Sequence, residues 1–193
     1  MDKRVLVIGG PTGSGETTIS EILIKKYPLF KKLVTATSRS IRSGEQEGIN
    51  YYFFSKEQFK KEIAKDNILE HTHIKSRDVY YGCYRPDLET KISQDYNIIV
   101  NTDIIGVNFY KKNFNATSIF LMPDSLSSLR GRIRNRNPEI ADEELEKRMG
   151  DARNEVEKEK PDYDYTVINA DGKMEKAIEE IISILKKEGY NLN

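Results

Sequence analysis

Hydrophobic positions recur along the chain in two rhythms. Val5-Leu6-Val7-Ile8 is an unbroken apolar run, the pattern of a strand buried on both faces. Asn97 to Thr102, Thr117 to Met122 and Tyr165 to Asn169 repeat it, and Pro123 ends the third of these runs. Between them the spacing changes to about three and four residues, which predicts helices. Thr17 to Tyr27 is the first, with Ile19, Ile22, Leu23 and the stem of Lys26 on one face and Pro28 as its stop. Others are expected over about 85–94, 104–112, 125–135, 142–158 and 172–188. The last carries Met174, Ile178, Ile181, Ile182 and Leu185 on one stripe. Alternating strands and helices predict an α/β fold with a parallel sheet covered on both faces.

Residues 34–88 follow another pattern. Leu33 to Thr37, Ile49 to Phe54, Asn67 to Thr72 and Val79 to Cys83 read as short strands. Ser55 followed by Gln58 is a capping-box signature for a helix over 56–65. This segment is expected to be a small β-rich insertion in the α/β frame.

Composition narrows the function classes. The 193 residues fit one domain and can bury a core. At 37% hydrophobic and 32% charged, the chain is too apolar and too evenly patterned for disorder. Thirty-one basic residues balance thirty-one acidic ones. A nucleic-acid coat or a membrane-surface binder would show a basic excess, so neither is expected. No apolar run approaches the roughly 20 residues of a membrane span. The start, Met1-Asp2-Lys3-Arg4, leads into too short an apolar run for a signal peptide. One cysteine, Cys83, precludes an internal disulfide and suggests a reducing, cytoplasmic compartment.

The strongest chemical signal follows the first strand. Gly10-Pro11-Thr12-Gly13-Ser14-Gly15-Glu16-Thr17 has the spacing of a phosphate-binding P-loop, between a buried strand and a helix as that motif requires. Its glycines let backbone amides curl around phosphate oxygens, and the helix points its positive end at the same anion. Thr17 offers a hydroxyl to Mg²⁺. The lysine of the motif is missing, and Glu16 stands in its place. At an effective dielectric near 20, one unit-charge contact at about 4 Å is worth roughly 4 kcal/mol. Reversing its sign predicts weak ATP binding and reduced phosphoryl transfer, unless Glu16 turns to solvent or takes up a proton. The other reading of Glu16 is a substitution introduced into an otherwise ordinary loop.

Further motifs carry a resemblance. Thr37-Ser38-Arg39-Ser40-Ile41-Arg42-Ser43-Gly44-Glu45 and Gly48-Ile49-Asn50-Tyr51-Tyr52-Phe53 follow the loop. Ile68-Leu69-Glu70-His71, Tyr80-Tyr81-Gly82, Asp103 with Gly106, Arg132 to Arg136, Lys147-Arg148-Met149 and Tyr163 to Asn169 come after them in order. Together with the loop they resemble the guanylate kinases almost end to end. The resemblance implies a P-loop NTPase three-layer fold with a central parallel sheet. It divides the chain into a core of about 1–33, 89–123 and 161–193, a GMP-binding subdomain of about 34–88 and a helical lid of about 124–160. It implies ATP as phosphate donor, Mg²⁺ as cofactor, GMP as acceptor, and a monomer or homodimer.

By the same resemblance, Gly10, Pro11, Thr12, Gly13, Ser14, Gly15, Glu16, Thr17, Thr18 and Asn169 would meet ATP. Thr35, Arg39, Arg42, Glu45, Tyr51, Glu70, Tyr81, Cys83 and Asp103 would meet GMP. The chemistry of several agrees. Arg39 and Arg42 can fork onto a phosphate monoester, and Tyr51 and Tyr81 can donate to it. A carboxylate at Glu70 accepts the paired N–H donors of guanine and meets an acceptor on adenine. Cys83 departs from the hydroxyl usual in the family, and a thiol is a poorer donor. Asn101 departs from the usual acid, which weakens the charge balance around Mg²⁺. The stretch His71 to Tyr80 is about two residues longer than usual. His71 and His73 lie two apart, as on one strand face, without a third histidine or a cysteine to complete a zinc site.

Arg130, Arg132, Arg134 and Arg136 alternate along one predicted helix. Arg132 and Arg136 share a face, Arg130 and Arg134 another, and Leu126, Leu129 and Ile133 are expected to bury the third. The resemblance gives Arg132, Arg136 and Arg148 to the triphosphate and the transferring group, where they would clamp spread negative charge. The expected activity is that of a guanylate kinase weakened by Glu16. The alternative is an inactive domain of that fold binding GMP or phosphopeptides.

Overall fold

The structure is a computed structural model that describes residues 3–75 and 78–192. Ser76 and Arg77, in the lengthened stretch, and the first two residues lie outside that description. The chain forms two compact units, Met1–Phe30 with Ile99–Asn193, and Lys31–Ile98.

The first unit is built on β1 (Val5–Gly9), whose five residues are all buried. β1 pairs in parallel with β8 (Thr117–Met122), Leu6 opposite Thr117 and Gly9 opposite Phe120. β8 pairs in parallel with β9 (Tyr165–Ile168). The whole sheet runs β2 (Phe30–Lys32), β7 (Asn97–Asn101), β1, β8, β9, and the boundary between the units falls inside β2 and β7. Helices cover the sheet: α1 (Glu16–Lys26), α4 (Ile104–Phe114) and, after the last strand, α7 (Met174–Lys187). Leu6, Ile8, Ile119 and Leu121 of the strands pack with Ile19 and Leu23 of α1 and with Ile178, Ile181 and Leu185 of α7.

Four local expectations change. On α7 the buried stripe includes Ala177 and Ile184, while Ile182 and Met174 sit at its partly buried edge. Strand β2 was hidden by Lys31 and Lys32, which an edge strand tolerates. The expected helix 142–158 is α6 (Asp142–Asn154), widening into a π-helical turn at Glu155–Glu159 and then a tight turn at Lys160–Asp162. Pro161 explains the end, because it offers no amide to continue the helix. Helix α5 (Leu126–Arg136) packs on α6 through Leu129, Ile133, Leu145 and Met149, but Leu126 is largely exposed rather than buried.

The second unit carries a four-stranded sheet in the order β4 (Tyr52–Phe53), β3 (Ala36–Thr37), β6 (Val79–Tyr84), β5 (Ile68–Ile74). β3 and β4 are parallel; β6 is antiparallel to both β3 and β5, with a bulge in β5 between Ile68 and His71. Helix α2 (Lys56–Ala64) opens with the expected capping box, Ser55 and Gln58 each bonding the other's backbone amide. Its Phe59 joins Ala36 and Ile68 in a small core ringed by Tyr52, Phe54, Tyr80 and Tyr84. Asp87 of α3 (Arg85–Ser93) ties the unit together. Its carboxylate accepts from the Val34 amide at 2.9 Å, the Tyr52 hydroxyl at 3.1 Å and the Lys91 ammonium at 2.5 Å.

Candidate active site

Between β1 and α1 the chain turns through Gly10 and Gly15, both at positive φ. A Cβ on Gly10 would lie 2.3 Å from the Leu121 carbonyl, and one on Gly15 would lie 2.5 Å from the Asn169 side-chain nitrogen. Only glycine fits either place. The Ser14 amide donates to the Pro11 carbonyl at 2.9 Å and closes the turn. Gly15 leaves α1 without a side-chain cap, and Glu16 is its first residue.

Two elements lean on this loop. Asn169, just beyond β9, is 2% exposed and donates its Nδ2 to the Ser14 carbonyl at 2.7 Å. Arg132 of α5 donates to the Asn169 carbonyl at 2.6 Å and, at 3.4 Å each, to the carbonyls of Gly13 and Ser14. Its remaining edge pairs with Asp171 at 2.7–2.8 Å. The guanidinium of Arg132 is thus occupied by protein acceptors. The other lid arginines differ. Arg148 pairs with Glu144 one turn back at 2.9 Å. Arg136 is exposed and has no ion-pair partner among the described residues. Arg130 and Arg134, on the other face, pair with Glu146 and Asp142 of α6 and join the two helices.

A cavity of about 470 Å³ opens beside the loop. Thr12, Gly13, Gly15, Glu16, Thr17 and Thr18 line one side; Arg132, Arg136 and Asn169 to Gly172 with Met174 line the rest. A second cavity, of about 370 Å³, is lined by Thr12, Gly13, Arg132, Ile133, Arg136, Asn137 and Arg148. Arg132, Arg136 and Arg148 and the P-loop, 115 or more residues apart in sequence, therefore face shared space. Asp171 was not singled out in the sequence and Met174 was read only as part of an apolar helix stripe, although the Asp171-Gly172 turn signal marked the place.

Glu16 does not turn to solvent. It lies half-buried and accepts from the Ser14 hydroxyl at 3.2 Å. Burial pushes its carboxyl up to about 7; the Ser14 hydrogen bond works against this, and the Glu155 charge adds to it. Glu155, on the π-helical turn, is itself pushed up to about 7 by burial and by Glu159 and Asp151. Burial and the nearby Glu159, Glu16 and Glu155 charges hold the Tyr163 phenol in its protonated form. An acidic neighbourhood thus surrounds the position where the motif has a cation. Glu155 and Glu159 gave no signal in the sequence, since charges on a predicted helix read as a solvated face.

Asn101, at the end of β7, donates to the Ile8 carbonyl at 3.2 Å and exchanges hydrogen bonds with the buried Ser20 hydroxyl at 3.1 and 3.2 Å. Its amide is committed to joining β1, β7 and α1. Asp103 caps α4 by accepting from the Gly106 amide at 3.1 Å.

The remaining predicted residues lie in the second unit. Arg39 makes a two-pronged pair with Glu45, both contacts at 2.6 Å, and its guanidinium lies over the rings of Tyr51 and Phe53 at 4.9 and 5.5 Å. Tyr51 and Tyr81 meet edge to face at 5.8 Å, and the Tyr81 hydroxyl reaches Arg39. Arg39 holds the Glu45 carboxyl down at about 2, and the Arg42 amide helps. The structure thus gathers Arg39, Glu45, Tyr51 and Tyr81, while the Arg42 side chain is exposed at the turn. Glu70 lies half-buried on β5 beside the bulge, Thr35 is half-buried before β3, and Cys83 is buried and in no disulfide. Sequence reasoning missed Thr37 and Ser38, whose hydroxyls bond the Tyr80 backbone and set the start of the arginine turn. His73 pairs with Asp78 at 2.9 Å and stacks on Tyr80. No group of three metal-ligating side chains occurs among the described residues, and no described helix is long and apolar enough to cross a membrane.

A parallel α/β sheet with a glycine loop between its first strand and first helix defines a P-loop nucleotide-binding fold. Comparisons narrow the class. A sequence model of the family described as guanylate kinase matches residues 2–188. A guanylate kinase of Hahella chejuensis is 31% identical over 191 residues, covering 98% of this chain and 89% of the relative. One of Clostridioides difficile is 36% identical over 186 residues, 95% of this chain and 89% of the relative. The crystal structure of guanylate kinase from Anaplasma phagocytophilum superposes with a TM-score of 0.71 at 26% identity, covering 98% of this chain and 88% of that one. The chain belongs to the guanylate kinase family, which implies a nucleoside monophosphate kinase.

Proposed function

We propose that this chain transfers a phosphoryl group from ATP to GMP, giving ADP and GDP, more slowly than a chain with the motif's lysine. The observation that carries this reading is the cavity that the P-loop and the lid arginines line together. In this reading the loop amides and the α1 terminus hold the triphosphate. Arg136 and Arg148 spread over the transferring group, and no proton moves through them. Arg39, Tyr51 and Tyr81 hold the acceptor's phosphate, with Glu45 fixing Arg39; Arg42 joins them from the turn. Glu70, with Asp103, Thr35 and Cys83, reads guanine. Asn169 lines the donor cavity and braces the loop under it.

Magnesium fits the donor set here. Thr17 and Glu16 offer oxygen alone to the cavity, and Asn169, with a buried Oδ1 that has no hydrogen-bond partner, lines the same space. Thr17 would hold the ion, and bound Mg²⁺ would neutralise phosphate charge.

The test is GMP-dependent ADP release by this chain and by Glu16→Lys. Turnover that rises at least tenfold in the variant supports a kinase weakened at this position. If GMP binds and neither protein turns over, the second reading stands: a domain that binds GMP or a phosphorylated peptide without catalysis, favoured by Glu16 and Asn101. Calorimetry with GMP against AMP checks the base pocket, and equal affinity would remove Glu70 from it.

A further inference from the structure

The start of α1, where the motif carries a cation, has the carboxylate of Glu16, one residue before Thr17. Asn101, at the end of β7, keeps its amide on Ile8 and Ser20 and is not part of the cavity lining.

We infer that Glu16 is a ligand of the nucleotide's divalent cation, acting beside Thr17. This rests on the reading of the cavity as a nucleoside triphosphate site.

Two observations carry it. Glu16 and Thr17 are consecutive and line the same cavity with Thr18, so carboxylate and hydroxyl are presented together. The Glu16 carboxylate is half-buried, facing Glu155, with no cationic side chain paired to it among the described residues; it accepts a hydrogen bond from the Ser14 hydroxyl. Such a group is stabilised by a counter-charge, and Arg132, the lid cation on this cavity closest to the loop backbone, is consumed by Asp171 and three carbonyls. Asn169 lines the same cavity, with its Oδ1 buried inside the wall. An all-protein metal cage is not required. Mg²⁺ typically binds through one or two carboxylates together with substrate phosphates and keeps several waters. A cation held between Glu16 and the phosphates would place positive charge close to where the motif's lysine carries it.

The consequence is a reversal that simple repulsion cannot produce. A Glu16 that only repels phosphates weakens nucleotide binding whether or not metal is present. A Glu16 that ligates the cation weakens binding without metal and strengthens it with metal. The experiment is calorimetric titration of the full chain and of Glu16→Gln with ADP and with a non-hydrolysable ATP analogue. Each is run in excess EDTA and in millimolar Mg²⁺, with Mn²⁺ paramagnetic resonance as a direct count of bound metal. Thermal melts check that Glu16→Gln is folded, and Glu16→Asp serves as the conservative second variant. The expected result is tighter binding by Glu16→Gln in EDTA and binding at least fivefold weaker in Mg²⁺. Mn²⁺ affinity of the nucleotide complex should fall about tenfold in Glu16→Gln and recover in part in Glu16→Asp. Tighter binding by Glu16→Gln in both conditions, or unchanged Mn²⁺ affinity, overturns the inference and leaves the nucleotide site intact. Failure of every protein to bind either nucleotide overturns the site itself and the inference with it.

Discussion

Asn169 and Ser14 are joined by a 2.7 Å hydrogen bond from a buried side-chain amide to the carbonyl at the crest of the phosphate loop. They are 155 residues apart, so the last strand of the sheet fixes the shape of a loop that follows the first. Removing the amide leaves a buried carbonyl with only the longer Arg132 contact. Asn169→Ala is expected to cost about 1–3 kcal/mol, the range for a buried acceptor left poorly paired. Urea unfolding measures it. The apparent KM for ATP should rise several-fold while that for GMP stays within twofold; equal changes in both would mean that Asn169 supports the whole fold rather than the loop.

Much of this was visible in the chain itself. Apolar runs at Val5–Ile8 and Ile119–Met122 located central strands because a strand buried on both faces is mostly apolar. The glycine spacing located the loop because no other residue fits at Gly10 or Gly15. What stayed hidden depends on distant neighbours. Arg132 reads as one more lid arginine, and only the approach of Asp171 and the Asn169 carbonyl shows that its donors are spent. Glu155 reads as a surface acid until a widened helical turn brings it to face Glu16. Two lysines masked β2, since a short edge strand has little burial to write into its sequence.

Glu45 and Arg39 form the second local device. With both contacts at 2.6 Å and the guanidinium over Tyr51, Arg39 is held in one orientation before any anion arrives. Glu45→Gln keeps the shape and removes the charge. The expected outcome is a three- to tenfold rise in KM for GMP with kcat and the KM for ATP within twofold of the parent, read by steady-state kinetics. Because Arg39 holds the Glu45 carboxyl down at about 2, the pair persists from pH 5 to 9. The effect of the substitution should therefore be flat across that range; a strong pH dependence would contradict the pairing.

Glu155 makes stability depend on pH in the direction opposite to an ion-paired acid. Its carboxyl is raised from 4.5 to about 7 in the folded chain, chiefly by burial. Between these values the folded state binds more protons than the unfolded one, so stability falls as pH rises. The favourable contribution is fully present below about 4.5 and gone above about 7, where both states are ionised. Glu16, shifted alike, adds to the same slope. Thermal melts from pH 5 to 8 should show a smaller decline for Glu155→Gln than for the parent, with the variant the more stable at pH 8. Parallel curves for the two proteins would count against this placement of Glu155.

Asp87 is the single side chain on which the packing of the second unit turns. Its carboxylate is 9% exposed and serves a backbone amide, a tyrosine hydroxyl and a lysine at once. Burial and this neighbour push the Tyr52 hydroxyl up to about 12, so the phenol remains a donor throughout the physiological range. Asp87→Ala strands the Val34 amide and leaves Lys91 without its carboxylate, although Lys91 keeps the Lys32 carbonyl. Breaking a buried pair by deleting one partner typically costs about 3–5 kcal/mol, and the lower part of that range is expected here because Lys91 is not fully enclosed. Asp87→Asn retains acceptance from Val34 and Tyr52 and should cost about half as much. Hydrogen exchange gives the local readout: the Val34 amide should exchange at least tenfold faster in Asp87→Ala, while amides of β1 and β8 change little. Equal acceleration in both sheets would show that the carboxylate stabilises the whole chain and not this unit.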